Sequence, residues 1–186
     1  MVQDKKPKQH PAGSPELPLV GIIMGSDTDL PVMQEALEVL TSFEIPAEIT
    51  VASAHRSPRR VSEYADNAVR RGLKVIIAGA GGAAHLAGVL AAETTLPVIG
   101  VPVASSPLAG WDALLATVQM PAGVPVATMA LGKAGARNAA ILAVQILAVA
   151  DSNLQARLQR YKKELAEKVA ERAATLHEKL SMPRTT

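Results

Sequence analysis

The stretch Leu19-Val-Gly-Ile-Ile-Met-Gly-Ser-Asp-Thr-Asp29 is the best indicator of fold in this chain of 186 residues. Its first six residues form a short apolar run, which is typical of a strand buried on both faces. Gly25-Ser26 then predicts a turn, and Thr28 or Asp29 can cap a helix that has Pro31 in its first turn. The stretch therefore predicts a strand, a tight loop and a helix in that order.

The same order recurs along the chain. Further strands are predicted at 48–52, 75–78, 97–101 and 124–128, and further helices at 57–72, 82–94 and 111–120. Because apolar strands alternate with helices, we expect a parallel sheet that is covered on both faces. The expected fold class is a three-layer α/β sandwich, flavodoxin-like or Rossmann-like, followed by a long C-terminal helix.

Three segments differ in composition. Residues 1–17 are rich in Lys, Pro and Gly, and we expect a disordered extension and not a signal peptide. Residues 18–150 are expected to form the α/β domain, and residues 151–186 an amphipathic helix with a tail.

The two C-terminal helices differ in pattern. Residues 139–150 are apolar on every side except Gln145, which predicts a helix buried all round. After Asp151, leucines recur at helical spacing among charged residues, which predicts a long helix whose apolar stripe lies on a neighbouring subunit. Packing of that stripe on its own subunit is the alternative.

The α/β segment contains few charged residues. Residues 18–150 hold 8 Lys or Arg and 10 Asp or Glu, whereas roughly 25% of residues are charged in ordinary soluble domains. Such a neutral surface predicts contact with further copies of the chain, a homo-oligomer.

Other partners are disfavoured by composition. Aromatic residues make up 2% of the chain, and no basic patch is interleaved with them, so we expect no nucleic-acid partner. No apolar run reaches the length of a membrane span, so we expect no membrane partner and a cytoplasmic location. Cysteine is absent, which excludes disulfides and thiolate metal sites.

The candidate chemistry follows the strands. In parallel sheets, ligands bind outside the carboxyl ends of the strands. Ser53-Ala54-His55-Arg56 places an imidazole, which exchanges protons near neutral pH, beside a guanidinium that can bind phosphate or carboxylate. The alternatives are that His55 only orients a turn and that Arg56 is a surface charge.

Two more loops face the same edge. Gly25-Ser26 offers backbone N–H groups and a hydroxyl to an anion, and Asp29 is either a helix cap or an acceptor for ribose hydroxyls. Residues 79–84 satisfy G-x-G-x-x-A, which raises the alternative of a dinucleotide-binding turn, but the next strand does not end in the required acid. Small residues there also let a helix pack closely or a planar ligand approach. His85 is either a core histidine or a second polar group over that ligand.

These features favour an enzyme acting on a small phosphorylated substrate. His55 and His85 lack the spacing of metal ligands, and neither a P-loop nor a G-x-S-x-G motif is present. We therefore expect no metal. A nucleotide-binding module without catalysis is the alternative from another class.

Six motifs resemble one known family. They are Gly25–Asp29, Ser53–Pro58, Ala78–Leu86, Gly100–Val103, Gln119–Val126 and Asn138–Ala143. In this order, from about residue 18 to 150, they resemble the N5-carboxyaminoimidazole ribonucleotide mutases, the PurE family of purine biosynthesis.

The resemblance implies a reaction and an assembly. The carboxylate of N5-carboxyaminoimidazole ribonucleotide would move to ring carbon C4, with CO2 trapped on the way, with no cofactor and in an octamer. His55 would act as acid and then as base, with His85 as the second candidate catalytic residue. Direct carboxylation of aminoimidazole ribonucleotide with CO2 is the alternative that the same family offers.

The resemblance also implies a binding site. Ser53 and Arg56 would hold the phosphate and Asp29 the ribose hydroxyls. The substrate-binding set on the first two loops is Gly25, Ser26, Thr28, Asp29, Ser53, Ala54 and Arg56, and on the third loop it is Ala80, Gly81, Gly82, Ala83 and Leu86. Thr28, Leu30 and Ala87 depart from the residues usual in the family.

Overall fold

Five parallel strands form the sheet of this computed structural model, which describes residues 17–181. The strands are β1 (Val20–Met24), β2 (Ala47–Val51), β3 (Val75–Gly81), β4 (Val98–Val103) and β5 (Ala127–Thr128). Their spatial order is β2-β1-β3-β4-β5, and every pairing is parallel. This is the flavodoxin-like order, in which ligands bind at the switch point between β1 and β3. The expected disordered extension lies outside the described residues, apart from Leu17.

Helices cover both faces of the sheet. They are α1 (Leu30–Ser42), α2 (Pro58–Ala68), α3 (Leu86–Glu93), α4 (Trp111–Val118), α5 (Gly132–Ala148) and α6 (Ser152–Ser181). Neighbouring residues of β1 point to opposite faces, so Ile22 packs with α1 and α5 whereas Ile23 packs with α2 and α3. The three-layer sandwich expected from the sequence is confirmed.

Two elements are shorter than predicted. Strand β5 contains only Ala127 and Thr128, because Pro125 has no backbone N–H to donate to a neighbouring strand. Helix α3 begins at Leu86, because residues 82–85 form a loop in which Gly82 has a φ of 60°.

Helix α5 corrects two predictions. It begins at Gly132 and not at residue 139. The predicted start was too late because Lys133 and Arg137 interrupt the apolar pattern of the sequence. These two side chains each lie 2.9 Å from the Glu35 carboxylate of α1. Complete burial of residues 139–150 is wrong for this chain. One alanine-rich face is buried, whereas Ile141 is half-buried and Val149 is 89% exposed.

Helix α6 divides into two parts. Leu154 and Leu158 are each 8% exposed and belong to the core of their own subunit, and Tyr161 packs edge-on against Phe43. This start of α6 fits the alternative, packing on its own subunit. Farther along, the stripe is open to solvent, with exposed fractions of 45–76% at Leu165, Val169, Leu176 and Leu180.

Candidate functional site

A cleft of about 310 Å³ opens at the carboxyl ends of the strands. The predicted residues that line it are Gly25, Ser26, Thr28, Asp29, Ser53, Ala54, His55, Arg56, Ala80, Gly81, Ala83 and Leu86. Gly82 and His85 are not in the lining, and Ser105 joins it from the loop after β4. Two residues that differ from those usual in the family lie outside the lining. Leu30 is 44% exposed, and Ala87 is buried in the core.

The loop after β1 presents two linked hydroxyl groups. Thr28 Oγ1 donates to Ser26 Oγ at 2.9 Å, and Ser26 Oγ donates to the Asp27 carboxylate at 3.2 Å. The Thr28 backbone N–H also donates to Ser26 Oγ at 3.4 Å, so Ser26 caps the 3₁₀ turn Asp27–Asp29. The hydroxyls are therefore held in place before a ligand arrives.

Asp29 is the buried carboxylate of the site. It occupies the N-cap position of α1, but its side chain makes no capping hydrogen bond, so the carboxylate is available to the cleft. Only 3% of the residue is exposed. Burial raises the pKa of Asp29, and a hydrogen bond from the Ser26 backbone and the nearby Arg56 guanidinium oppose that rise.

Arg56 bridges the loops that follow β1 and β2. Its Nη2 donates to the Gly25 carbonyl at 3.0 Å, and its Nε lies 3.5 Å from Ser53 Oγ. Its backbone N–H also donates to Ser53 Oγ at 3.2 Å. The guanidinium is thereby held at the cleft with N–H groups left for an anion.

Ser57 holds this loop in shape, a role that sequence reasoning missed. It was predicted to start α2, and it does occupy the N-cap, but its hydroxyl makes no capping bond. Instead Ser57 Oγ accepts from the Ser53 N–H at 2.9 Å and donates to the Ser53 carbonyl at 3.1 Å. The backbone of Ser53 is therefore fixed from within its own loop.

His55 and His85 meet at the cleft. His55 Nε2 lies 2.9 Å from His85 Nδ1, with the ring centroids 5.0 Å apart and the planes at 80°. One of these two nitrogens must donate the hydrogen of this bond and the other must accept it, so the tautomers of the two rings are linked. Both residues are exposed, so the interpretation of His85 as a core histidine is wrong.

Two glycines at the end of β3 allow close packing. A Cβ at Gly79 would overlap the Met33 thioether, and a Cβ at Gly81 would overlap the Ser105 side chain. Strand β3 runs through Gly81 while α3 begins only at Leu86, so these glycines do not open a helix. The geometry of a dinucleotide-binding turn is therefore not formed.

Ser105 is a lining residue that was not among the site residues predicted from the sequence. Its position two residues after β4 was the available sign, because loops at carboxyl ends of parallel strands share one edge. Its backbone N–H donates to the Val103 carbonyl at 3.0 Å, and its side chain reaches the cleft.

Neither a metal cluster nor a membrane-spanning helix is found in the part of the chain that the structure describes. Among the described residues, no three or more His, Cys, Asp or Glu side chains are grouped to hold a metal ion. None of the helices in this part combines the length and apolarity that a membrane crossing requires. The cleft thus offers an acid–base pair, a cation and several hydroxyls, which suit proton transfer on a small anionic molecule.

Comparison with known proteins identifies the family. The family model described as AIR carboxylase matches residues 19–168. A protein of Pyrococcus horikoshii named N5-carboxyaminoimidazole ribonucleotide mutase is 56% identical over 163 residues, covering 88% of this chain and 91% of its own length. A Mycobacterium tuberculosis protein with the same name is 57% identical over 166 residues, covering 89% and 93%.

Further similarities agree. A Candida albicans protein named phosphoribosylaminoimidazole carboxylase is 55% identical over 88% of this chain, which matches 28% of that longer protein. The crystal structure of Treponema denticola PurE superposes with a TM-score of 0.76 at 28% identity, covering 86% of this chain and 98% of that one. The resemblance seen in the sequence is confirmed, and this chain belongs to the AIR carboxylase family.

Proposed function

We propose that this chain is a mutase of purine biosynthesis that converts N5-carboxyaminoimidazole ribonucleotide to 4-carboxy-5-aminoimidazole ribonucleotide. The observation that carries the proposal is the His55–His85 pair, 2.9 Å apart, at a cleft that also holds Arg56 and Ser53. A phosphorylated imidazole then meets a cation for its phosphate and an acid–base group for its ring. Relatives more than half identical to this chain bear the name of this mutase.

The ribonucleotide lies with its phosphate toward the β1 and β2 loops. Arg56, Ser53 and Ser26 supply the donors for the phosphate, since charge-assisted hydrogen bonds are the strong ones. Asp29 accepts hydrogen bonds from the ribose hydroxyls, because its carboxylate is not used to cap α1. The imidazole ring then lies against the small residues after β3.

His55 acts first as an acid and then as a base. It protonates the exocyclic nitrogen, and the bond between that nitrogen and the carboxylate carbon breaks. CO2 is released, and the nitrogen stays on the ring as an amine. Ring carbon C4 attacks CO2 with its enamine electrons. The neutral His55 then removes the C4 proton, which restores the aromatic ring and leaves no net proton change.

His85 is the second catalytic candidate, and its role is to orient His55. Its Nδ1 faces His55 Nε2, so the tautomer of one ring sets the tautomer of the other. The pair can therefore hold the His55 ring in the orientation that proton transfer needs.

The trapped CO2 lies among small residues. Ala80, Gly81 and Ala83 line that part of the cleft and offer no side chain that could react with CO2.

We also propose a homo-octamer in the cytoplasm. The outer face of α4 supports assembly, since Trp111, Leu115 and Val118 are 65%, 51% and 49% exposed at helical spacing. The octamer itself rests on the family resemblance, and the cytoplasm rests on composition. Light scattering tests the assembly, and a stable monomer at micromolar concentration would contradict it. Residues 18–150 are proposed as the catalytic domain and 151–186 as the assembly helix with its tail.

The deciding experiment assays two substrates side by side. Wild-type protein is given N5-carboxyaminoimidazole ribonucleotide, or aminoimidazole ribonucleotide with CO2, and formation of the carboxylated product is followed. We expect efficient turnover of the first substrate. Faster use of the second would favour a carboxylase, the name that the Candida albicans relative bears. Binding without turnover of either would favour a non-catalytic module.

A further inference from the structure

Ser105 lies at the end of the cleft that is farthest from Arg56 along the sheet. Ser105 follows β4 and Arg56 follows β2, with β1 and β3 between them in the sheet. Strands in a sheet are spaced about 4.8 Å apart, so these two strands are separated by roughly 14 Å. A ligand whose phosphate is at Arg56 therefore extends toward Ser105.

The Ser105 hydroxyl is free for a ligand. Within residues 17–181, it makes no hydrogen bond with another side chain or with the backbone, whereas the Ser106 hydroxyl accepts from the Leu108 N–H at 3.1 Å. The Ser105 side chain packs over Gly81, where a Cβ would overlap it. That contact keeps the hydroxyl at the cleft lining.

The side chains that the β3 loop places near Ser105 are not hydrogen-bond donors. The described side chains from the β3 loop that line this part are those of Ala80, Ala83 and Leu86, none of which can donate a hydrogen bond. A carboxylate placed there without a donor would be costly, since an unpaired charge loses its hydration. The transferred carboxylate is the charge that the substrate carries at its ring end.

We propose that the Ser105 hydroxyl donates a hydrogen bond to the carboxylate that the enzyme transfers, and so favours carboxylated over uncarboxylated ribonucleotide. The inference rests on the proposed function, because it takes its ligand from that reaction. Ser105 is then a specificity-determining residue that acts on the ring end, whereas Arg56 acts on the phosphate.

Isothermal titration calorimetry tests this inference with two ligands. Wild type, Ser105→Ala and the matched control Ser106→Ala are titrated with 4-carboxy-5-aminoimidazole ribonucleotide and with 5-aminoimidazole ribonucleotide. We expect Ser105→Ala to bind the carboxylated ligand about 10- to 100-fold more weakly, the range for a hydrogen bond to a charged group. Its affinity for the uncarboxylated ligand should not change, and Ser106→Ala should bind both as wild type does.

Equal weakening for both ligands would overturn the inference, and so would unchanged affinity for the carboxylated one. In either case, a wild type that still turns over N5-carboxyaminoimidazole ribonucleotide leaves the proposed function standing. A wild type that binds neither ligand overturns the proposed function and this inference together. Thermal unfolding of the three proteins shows whether any loss reflects folding.

Discussion

Replacing Arg56 by alanine tests the phosphate end of the cleft. The change removes the Nη2 bond to the Gly25 carbonyl at 3.0 Å and the Nε contact with Ser53 Oγ at 3.5 Å. It also removes the positive charge that lowers the pKa of Asp29, so burial will raise that pKa further in the variant.

The loss of affinity follows from the lost contact. A hydrogen bond to a charged group contributes about 1.5–3 kcal/mol, which corresponds to roughly 10- to 100-fold in Kd. We expect Arg56→Ala to bind the product ribonucleotide more weakly by that factor. The nucleoside without phosphate should bind both proteins equally, because it has no partner for the guanidinium.

Arg59→Ala is the matched control. Arg59 lies three residues farther on, near the start of α2, is exposed, and does not line the cleft. Its removal changes the net charge by the same amount, so any general electrostatic effect on the anionic ligand appears in both variants. Calorimetric titration of the two ligands into the three proteins gives the comparison.

Two results would refute the reasoning. If Arg56→Ala weakened nucleoside and nucleotide equally, the guanidinium would be holding the loop and not the phosphate. If Arg59→Ala weakened nucleotide binding as strongly, the effect would come from net charge and not from the position of Arg56.

Four further predictions follow from the same structure. His55→Asn should lower kcat by ~10²–10⁴-fold with ribonucleotide binding retained; retention of more than roughly a tenth of the activity would remove His55 from its role. Activity should survive exhaustive chelation and need no added cofactor; restoration of a chelated, inactive enzyme by one divalent metal would contradict this. Asp29→Asn should raise the free energy of unfolding at pH 7 and weaken ribonucleotide binding. Because the pKa of Asp29 is raised in the folded state, folding favours the protonated carboxyl, and the wild type loses stability as pH rises above the usual pKa of 3.8. Asparagine does not ionise and avoids that loss. Denaturant unfolding of both proteins from pH 3 to 8 measures the difference in stability, and a variant less stable than wild type at pH 7 would refute the prediction. Truncation after Ala150 should destabilise the subunit by roughly 2–5 kcal/mol for each of the two buried leucines lost, Leu154 and Leu158, whereas truncation after residue 164 should weaken assembly alone; an equal Tm in the two truncated proteins would refute the division of α6.

The arrangement of strands and loops could be predicted from the sequence because it depends on local pattern. Apolar runs such as Leu19–Met24 can only be buried, and helices that alternate with them force a parallel sheet. The carboxyl ends of parallel strands meet at one edge, so the sequence alone predicts that Ser26, His55 and Arg56 lie close together. Neighbours in sequence, such as His55 and Arg56, needed no structure to be associated.

The contacts that define the site came only from the tertiary structure. His55 and His85 are thirty residues apart, and their 2.9 Å contact depends on the pairing of β1 with both β2 and β3. The same holds for Asp29, whose side chain does not cap α1, and for the hydrogen bonds between Ser57 and Ser53. Both depend on the backbone path of a loop. Hydrogen bonds require donor–acceptor distances of about 3 Å. Contacts of that kind produce no repeating pattern in the sequence from which they could be predicted.

The C-terminal helices show the same division. The length and the amphipathic character of α6 can be predicted from sequence, because the spacing of its leucines is a local property. Only the tertiary structure decided that Leu154 and Leu158 pack on their own subunit while Leu165 and Leu176 stay exposed. It also decided that α5 begins at Gly132, where Lys133 pairs with Glu35 of α1. Which surface covers an apolar stripe depends on the shape of the body beside it, and that shape exists only after the sheet and its helices have packed.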